Sequence, residues 1–151
     1  MTHDDDLRAW AKGSLAVEAG TELLLRAFGG RFAAPGNPWV YERVTRSETY
    51  SESAWIDFEG LGEHAIYGAY SAGERRFLLL AASLASDTDV VLGDAIQGLG
   101  RATLDLVLAA VAYAGGRHLH PEARGNEDRS PALCPGSWGG TQHRSGGLRA
   151  V

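Results

Sequence analysis

Apolar residues recur at helical spacing near the N-terminus of the chain. This pattern begins at the Asp4-Asp5-Asp6 cluster, where one carboxylate can cap free amides and the others suit the positive end of a helix dipole. It runs through Trp10, Leu15, Val17, Leu24 and Phe28 and stops at Gly29-Gly30. Gly13 and Gly20 each cost about 1 kcal/mol in a helix. We therefore predict two shorter helices with a break between them.

Two further helices are predicted in the second half of the chain. Ser71 and Glu74 form a capping box directly before an apolar run, which predicts a helix over residues 72–85. This helix is apolar over most of its circumference, as a central buried helix is. A last helix is predicted over residues 101–114, ended by Gly115-Gly116. Its expected inner face consists of Leu104, Val107, Leu108, Val111 and Ala112.

Two segments between the helices alternate apolar and polar residues as strands do. Val40, Glu42 and Val44 form the first set, and Ala54, Ile56 and Phe58 form the second. We expect a β-hairpin joined across the polar loop 47–53, packed on the helices because a lone ribbon is marginal in water. Residues 33–38 are expected to be a loop, and residues 90–92 either a short buried strand or a packed loop.

The composition changes at Arg117. Twelve of the last 35 residues are Gly, Pro or Ser, and large apolar residues show no period there. We therefore divide the chain into one globular domain, residues 1–116, and a flexible tail, residues 117–151. The fold class that follows is mainly α (α+β): a small helical bundle with a short β-hairpin and a disordered C-terminal tail. The alternative is an α/β fold in which residues 90–92 and 117–120 are strands.

Charge and cysteine content restrict the function classes. Residues 1–116 hold nine basic and sixteen acidic residues, a net of −7, which would repel a phosphate backbone and gives broad nucleic-acid binding little electrostatic support. Cys134 is the single cysteine, so no intramolecular disulfide can form, in keeping with a cytoplasmic protein. We expect no membrane partner, because the apolar run 104–114 is too short for a span. One Lys beside thirteen Arg is typical of a high-GC bacterial genome.

Part of the chain resembles a segment of ABC-type ATPases. Residues 70–76, Tyr-Ser-Ala-Gly-Glu-Arg-Arg, resemble the signature segment that opens a helix in that family. Residues 90–94 resemble the strand that ends in the magnesium-binding aspartate, here Asp94, and residues 97–100 resemble the D-loop. His118 or His120 lies where a switch histidine would follow. These motifs occur in the family's order and approximate spacing and cover about a third of the chain. The resemblance implies nucleotide binding.

The chain departs from that family at the groups that hold and hydrolyse ATP. No Gly-x4-Gly-Lys loop is present to hold the phosphates, and the one lysine, Lys12, lies in a predicted helix. Ala95 replaces the glutamate that polarises water, and Gly100 replaces the D-loop aspartate. A degenerate nucleotide-binding fragment without a phosphate-binding loop is therefore kept as the alternative function.

A second resemblance covers most of the globular domain. Residues 37–39 (Asn-Pro-Trp), 55–59 (Trp-Ile-Asp-Phe-Glu) and 71–76 (Ser-Ala-Gly-Glu-Arg-Arg) are similar to a group of small actinobacterial hypothetical proteins. The similarity extends over about residues 7–116. It implies a bacterial source but no activity, because none is established for that group.

Titratable residues form three weaker clusters. His118 and His120, with Glu122, could share a metal on a strand, but Pro121 and the tail composition disfavour a rigid site. Cys134 has nothing in the tail to hold a base beside it. Asp57, Glu59, Glu63 and His64 are expected in an exposed loop because Gly60 and Gly62 interrupt them. We predict no catalytic residue, no metal site and no cofactor.

Aromatic residues offer contact chemistry instead. Tyr and Trp are enriched in the residues that dominate protein interfaces. We expect Trp10 and Trp55 in the core and Trp39, which follows Pro38 in a loop, to be partly exposed. The candidate contact residues are Trp39, Tyr67, Arg75 and Arg76. These residues favour a small cytoplasmic, non-enzymatic interaction or regulatory protein with a protein partner or a second copy of itself; a small-molecule ligand stays unspecified. An unrecognised small enzyme that uses the Asp57–His64 region is the third hypothesis.

Overall fold

The computed structural model describes residues 2–45 and 51–116, and within these ranges the protein is mainly helical with one β-hairpin, as predicted. The expected tail, residues 117–151, and the hairpin loop lie outside the described residues. The elements in chain order are α1 (His3–Ala11), α2 (Leu15–Arg26), β1 (Val40–Thr45), β2 (Ser51–Ile56), α3 (Phe58–Tyr67), α4 (Ala72–Ala85), α5 (Leu92–Ile96) and α6 (Arg101–Ala114).

The predicted break in the N-terminal helical region occurs at Gly13, between α1 and α2. Gly13 has a φ of 108°, a conformation that glycine adopts without steric cost. The cap of α1 differs from the prediction: Thr2, not an aspartate, is the N-cap, and Asp5 completes a capping box with it. Gly20 lies inside α2, where a Cβ would come within 3.0 Å of the Phe58 ring. Gly20 thus permits close helix packing instead of a break.

The hairpin is confirmed. Strands β1 and β2 pair antiparallel with Val40 opposite Ile56 and Glu42 opposite Ala54. Val40, Ala54 and Ile56 are buried on the face that packs toward the helices, and β2 contacts α1. The alternation does not extend to Phe58, which begins α3 instead.

Helix α3 corrects the expectation of an exposed loop at residues 57–64. Asp57 is its N-cap, and its Oδ1 accepts a hydrogen bond from the Gly60 amide at 3.0 Å. A Cβ on Gly62 would lie 2.8 Å from Thr88 Oγ1 and 3.6 Å from the Ala82 Cβ. Gly62 is therefore a packing residue that brings α3 close to α4, and not a mark of irregular backbone.

Helix α4 is the central helix, as its sequence predicts. Its bounds match residues 72–85, and Ser71 and Glu74 form both hydrogen bonds of the capping box. Phe77, Leu78 and Ala81 are fully buried. The helix contacts α2, α3, α5 and α6, so the hydrophobic core surrounds it.

The last helix has the predicted bounds but a different inner face. Val107 and Ala110 are buried, whereas Leu108 and Val111 are exposed by 58% and 48%. The reason is that α6 packs mainly along α2 and only lightly on α4, so one narrow face is covered. Residues 90–92 form no strand, and the sheet in the described ranges is the two-stranded hairpin. The helical fold, not the α/β alternative, is therefore the observed one.

Candidate interaction surface at the α3–α4 corner

Three of the four predicted contact residues lie where α3 meets α4. Tyr67 is the last residue of α3, and Arg75 and Arg76 lie in the first turns of α4. Ile66 precedes Tyr67 and is 52% exposed. We call these four residues, Ile66, Tyr67, Arg75 and Arg76, the α3–α4 corner.

Tyr67 is held in an exposed position by the turn that follows it. Its side chain is 87% exposed. The Gly68 amide donates to the His64 carbonyl at 2.8 Å and ends α3. The Tyr70 ring packs closely on Gly68: a Cβ on Gly68 would lie 2.2 Å from it. The same ring also contacts Trp39 in the core. Because the turn is tied to the core, the backbone that carries Tyr67 has a defined position.

The two arginines have different neighbours. Arg75 is exposed and donates from Nη2 to the Gly68 carbonyl at 3.3 Å, directly beside Tyr67. Arg76 is half-buried and packs against Gly98 in the loop between α5 and α6. A Cβ added to Gly98 would lie 2.7 Å from Arg76 Nη1. Neither arginine forms an ion pair with another residue in the described ranges.

Positive charge at the corner does not serve the stability of α4. Cations near a helix N-terminus oppose the helix dipole. Glu74, the acidic residue of this turn, is engaged by the Ser71 amide and by an ion pair with Arg31. Arg31 also lies over the rings of Phe32, 4.6 Å from the centroid, and Phe28. Arg31 thus pairs with Glu74, while Arg75 and Arg76 remain as positive charge in a domain whose net charge is −7.

Trp39, the fourth candidate, is a correction. The prediction that it is partly exposed is wrong, because its side chain is completely buried. Its Nε1 donates to the Phe32 carbonyl at 2.8 Å, and its ring lies against Phe32 and Tyr70. Trp39 therefore has no surface to offer a partner in this structure.

Trp10 and Trp55, both expected in the core, are more exposed than predicted. Trp10, expected in the core, is 41% exposed and stacks on the Phe58 ring at 6.5 Å. Trp55 is half-buried on the outer face of the hairpin, stacked on Tyr41 at 5.5 Å. Arg43 covers the indole of Trp55 at 5.8 Å, so the hairpin carries a second arginine–aromatic patch.

The weaker clusters assemble no chemical site in the described part of the chain. Asp57 caps α3, and Glu59, Glu63 and His64 are exposed along that helix. Asp94 lies in the first turn of α5, not at the end of a strand. No group of three or more candidate ligands able to hold a metal ion occurs among the described residues. The clusters considered at His118, His120, Glu122 and Cys134 lie outside the described residues.

Sequence reasoning missed Arg31 and Ile66. Arg31 lies three residues after Phe28 and one before Phe32, a spacing that signals an arginine among aromatic rings, but its partner Glu74 is distant in sequence. Ile66 lies in α3, which the sequence did not predict. None of the helices in the described ranges has both the length and the apolar character of a membrane span.

Comparison with known proteins adds no relative. No protein-family model matches the sequence, and no curated protein or solved structure matches it.

Proposed function

We propose that this chain is a non-enzymatic interaction or regulatory protein that binds a protein partner through the α3–α4 corner. The observation that carries the proposal is the position of Tyr67, an 87% exposed aromatic side chain beside Arg75 on a turn anchored in the core. Tyr and Arg are the residue types that most often dominate interface energetics, together with Trp.

The chemistry of the corner indicates the kind of partner. Arg75 and Arg76 supply guanidinium donors that suit carboxylates, and Ile66 and Tyr67 supply apolar area. An acidic protein surface with an apolar depression would complement both. A nucleic acid fits less well, because the net charge of −7 over residues 1–116 repels a phosphate backbone.

The groups at the corner can bind but are unsuited to proton transfer. Arginine stays protonated at every physiological pH and has no acceptor. Within the described ranges no general base is hydrogen-bonded to the Tyr67 hydroxyl, and the 87% exposed side chain has no buried environment to activate it. We therefore assign the corner to recognition, and we place the protein in the cytoplasm because its single cysteine suits a reducing compartment.

Affinity capture with matched variants tests this proposal. The full chain is immobilised and exposed to an extract of the cells that produce it, as wild type, as Tyr67→Ala/Arg75→Glu, and as Arg43→Glu. Arg43 is the control because it is an exposed arginine beside aromatic rings on the hairpin. All altered side chains are exposed or lie at the surface, so each variant should keep its stability to within about 0.5 kcal/mol.

We expect one partner on the wild type and on Arg43→Glu, and its loss by about tenfold or more on the corner variant. Retention by all three baits, or dependence on Arg43 instead, would contradict the proposal, as would a wild-type bait that captures nothing. Sedimentation equilibrium of the full chain identifies the case in which the partner is a second copy, because the wild type then forms a dimer that the corner variant does not.

A further inference from the structure

Helices α1 and α2 place charges of opposite sign on facing rows. Arg8 lies on α1 and Lys12 is the C-cap residue directly after that helix, whereas Glu18 and Glu22 lie one turn apart on α2. After the turn at Gly13, α2 runs back along α1, so Arg8 meets Glu22 near one end and Gly13 meets Glu18 near the other. The two rows form the walls of a cleft.

The carboxylates of the cleft are held in fixed positions. Glu22 accepts from Arg8 Nε at 2.5 Å and from Arg26 Nε at 2.8 Å. Glu18 accepts from the Gly13 amide at 2.9 Å and from the hydroxyl of Tyr113 on α6. The hydrogen bond between Tyr113 and Glu18 is the main cause of the raised pKa of Tyr113, so the Tyr113 hydroxyl stays protonated and acts as a donor. Lys12, by contrast, pairs with no acidic side chain in the described ranges.

A cavity of about 290 Å³ lies between these walls. Its buried lining includes Ala11 and Thr21. Thr21 is 1% exposed, and its Oγ1 has no hydrogen-bond partner among the described residues. A buried hydroxyl without a hydrogen-bond partner is unfavourable. Thr21 is thus an unused polar group at the bottom of a charged cleft, and a threonine in a helix has two accessible rotamers with which to reach a ligand.

A second, apolar cavity of about 140 Å³ adjoins the first. It lies between α2 and α6 and shares Glu22 and Tyr113 with the charged cavity. Its remaining lining is mainly apolar and consists of Ala19, Leu23, Arg26, Leu106, Ala109 and Ala110. A few placed polar groups beside an apolar recess are typical of small-molecule sites.

We propose that this cleft binds a zwitterionic amino acid with a branched apolar side chain, and that such an amino acid is a ligand of this protein. The carboxylate of the ligand faces Lys12 and the Thr21 hydroxyl. Its ammonium group faces the Glu18 and Glu22 carboxylates. Its side chain enters the apolar cavity past the Tyr113 ring.

The mixed charge of the walls favours a zwitterion over singly charged ligands. A simple anion attracted by Lys12 would also meet the Glu18 carboxylate, and a simple amine attracted by Glu18 would also meet Lys12. Arg8 and Glu22 are paired with each other and add little net charge. A molecule that carries both charges on neighbouring atoms can satisfy both rows at once, whereas each singly charged analogue leaves one row facing a like charge.

Ligand titration of the full chain tests the charge requirement. The probes are L-leucine, 4-methylpentanoate, which lacks the ammonium group, 3-methylbutylamine, which lacks the carboxylate, and glycine, which lacks the side chain. Calorimetric titration should show binding of L-leucine and at least about tenfold weaker binding of the other three. Equal binding of any analogue, or no binding of L-leucine, overturns the proposal.

Two variants locate the binding at this cleft. Lys12→Gln removes the unpaired cation at an exposed position and should weaken the binding of L-leucine by about tenfold. Ala109→Leu places a larger side chain at the mouth of the apolar cavity and should weaken the binding of L-leucine without affecting stability. Ala102 is an exposed alanine on the same helix outside the cavity, so Ala102→Leu should leave the binding of L-leucine unchanged. Binding that is unaffected by both cleft variants would place the ligand elsewhere and refute the assignment.

Discussion

The indole Nε1 of Trp39 donates a hydrogen bond to the carbonyl oxygen of Phe32 at 2.8 Å inside the hydrophobic core. This bond crosses the proline-containing loop from its end to its start, and Asn37 ties the same loop by donating from Nδ2 to the Arg31 and Ala34 carbonyls. The loop is therefore a folded support under the Tyr70 ring, which in turn holds the turn beside Tyr67.

Trp39→Phe should destabilise the protein by about 1–3 kcal/mol, because it leaves the buried Phe32 carbonyl without its donor. Urea unfolding monitored by circular dichroism measures the loss. Trp10→Phe is the matched control: Trp10 is 41% exposed and should cost less than about 1 kcal/mol. Equal losses in the two variants would show that the Trp39 hydrogen bond is not what distinguishes them.

Ser71→Ala should cost about 1 kcal/mol, because the Glu74 amide loses the side-chain acceptor that now lies 3.3 Å away. Ser71→Asn retains an acceptor at the N-cap and should remain close to the wild type. Thermal unfolding of the two variants tests the role of the cap. If both variants unfold at the same temperature, the capping box does not stabilise α4.

Gly62→Ala should destabilise the α3–α4 contact, because the added Cβ would come within 2.8 Å of Thr88 Oγ1. The gain in helix propensity, about 1 kcal/mol, offsets part of this cost. Thr88→Ala removes Oγ1 and Cγ2, the two atoms nearest to the new methyl group. The double variant should therefore be more stable than the sum of the two single effects, and strict additivity in a double-mutant cycle would argue against the close approach.

Stability should fall in acid partly because of Glu22. Partial burial pushes the pKa of Glu22 upward, but hydrogen bonds from Arg8 and then Arg26 outweigh this effect and lower the pKa. A lowered pKa in the folded state stabilises the protein above the unfolded-state pKa, about 4.3, and this contribution is lost as pH falls through the folded-state pKa. Urea midpoints from pH 6 to pH 3 should therefore fall more steeply for the wild type than for Glu22→Gln.

Arg8→Gln provides the intermediate case for this pH dependence. It removes one of the two hydrogen bonds to the Glu22 carboxylate, so its acid loss should lie between those of the wild type and Glu22→Gln. Parallel profiles for all three proteins would mean that Glu22 does not contribute to acid unfolding.

The sequence predicts an element well where local chemistry determines it. The capping box at Ser71 gives α4 its start, and the apolar run that follows gives the helix its extent. The hairpin follows from alternation. Helix α3 was missed because Gly60 and Gly62 have low helix propensity, and the benefit of Gly62, close contact with Thr88, depends on a residue distant in sequence.

The candidate sites divide in the same way. Tyr67, Arg75 and Arg76 lie near one another along the chain, so local reasoning could group them. Trp39 was misplaced because its acceptor belongs to a loop whose fold has no local pattern. The charged cleft joins α1, α2 and α6, and Tyr113 reaches Glu18 across 95 residues, so no spacing in the sequence indicates it.

Site-specific photo-crosslinking in the producing cells tests the central claim most directly. Tyr67→p-benzoylphenylalanine places a photoreactive ring at the α3–α4 corner, and Tyr41→p-benzoylphenylalanine places the same ring at another exposed tyrosine, on the hairpin. The proposal predicts one discrete crosslinked protein from position 67 that Arg75→Glu abolishes and that position 41 does not yield. Identical products from both positions, or no product from position 67, would contradict an interaction surface at the corner.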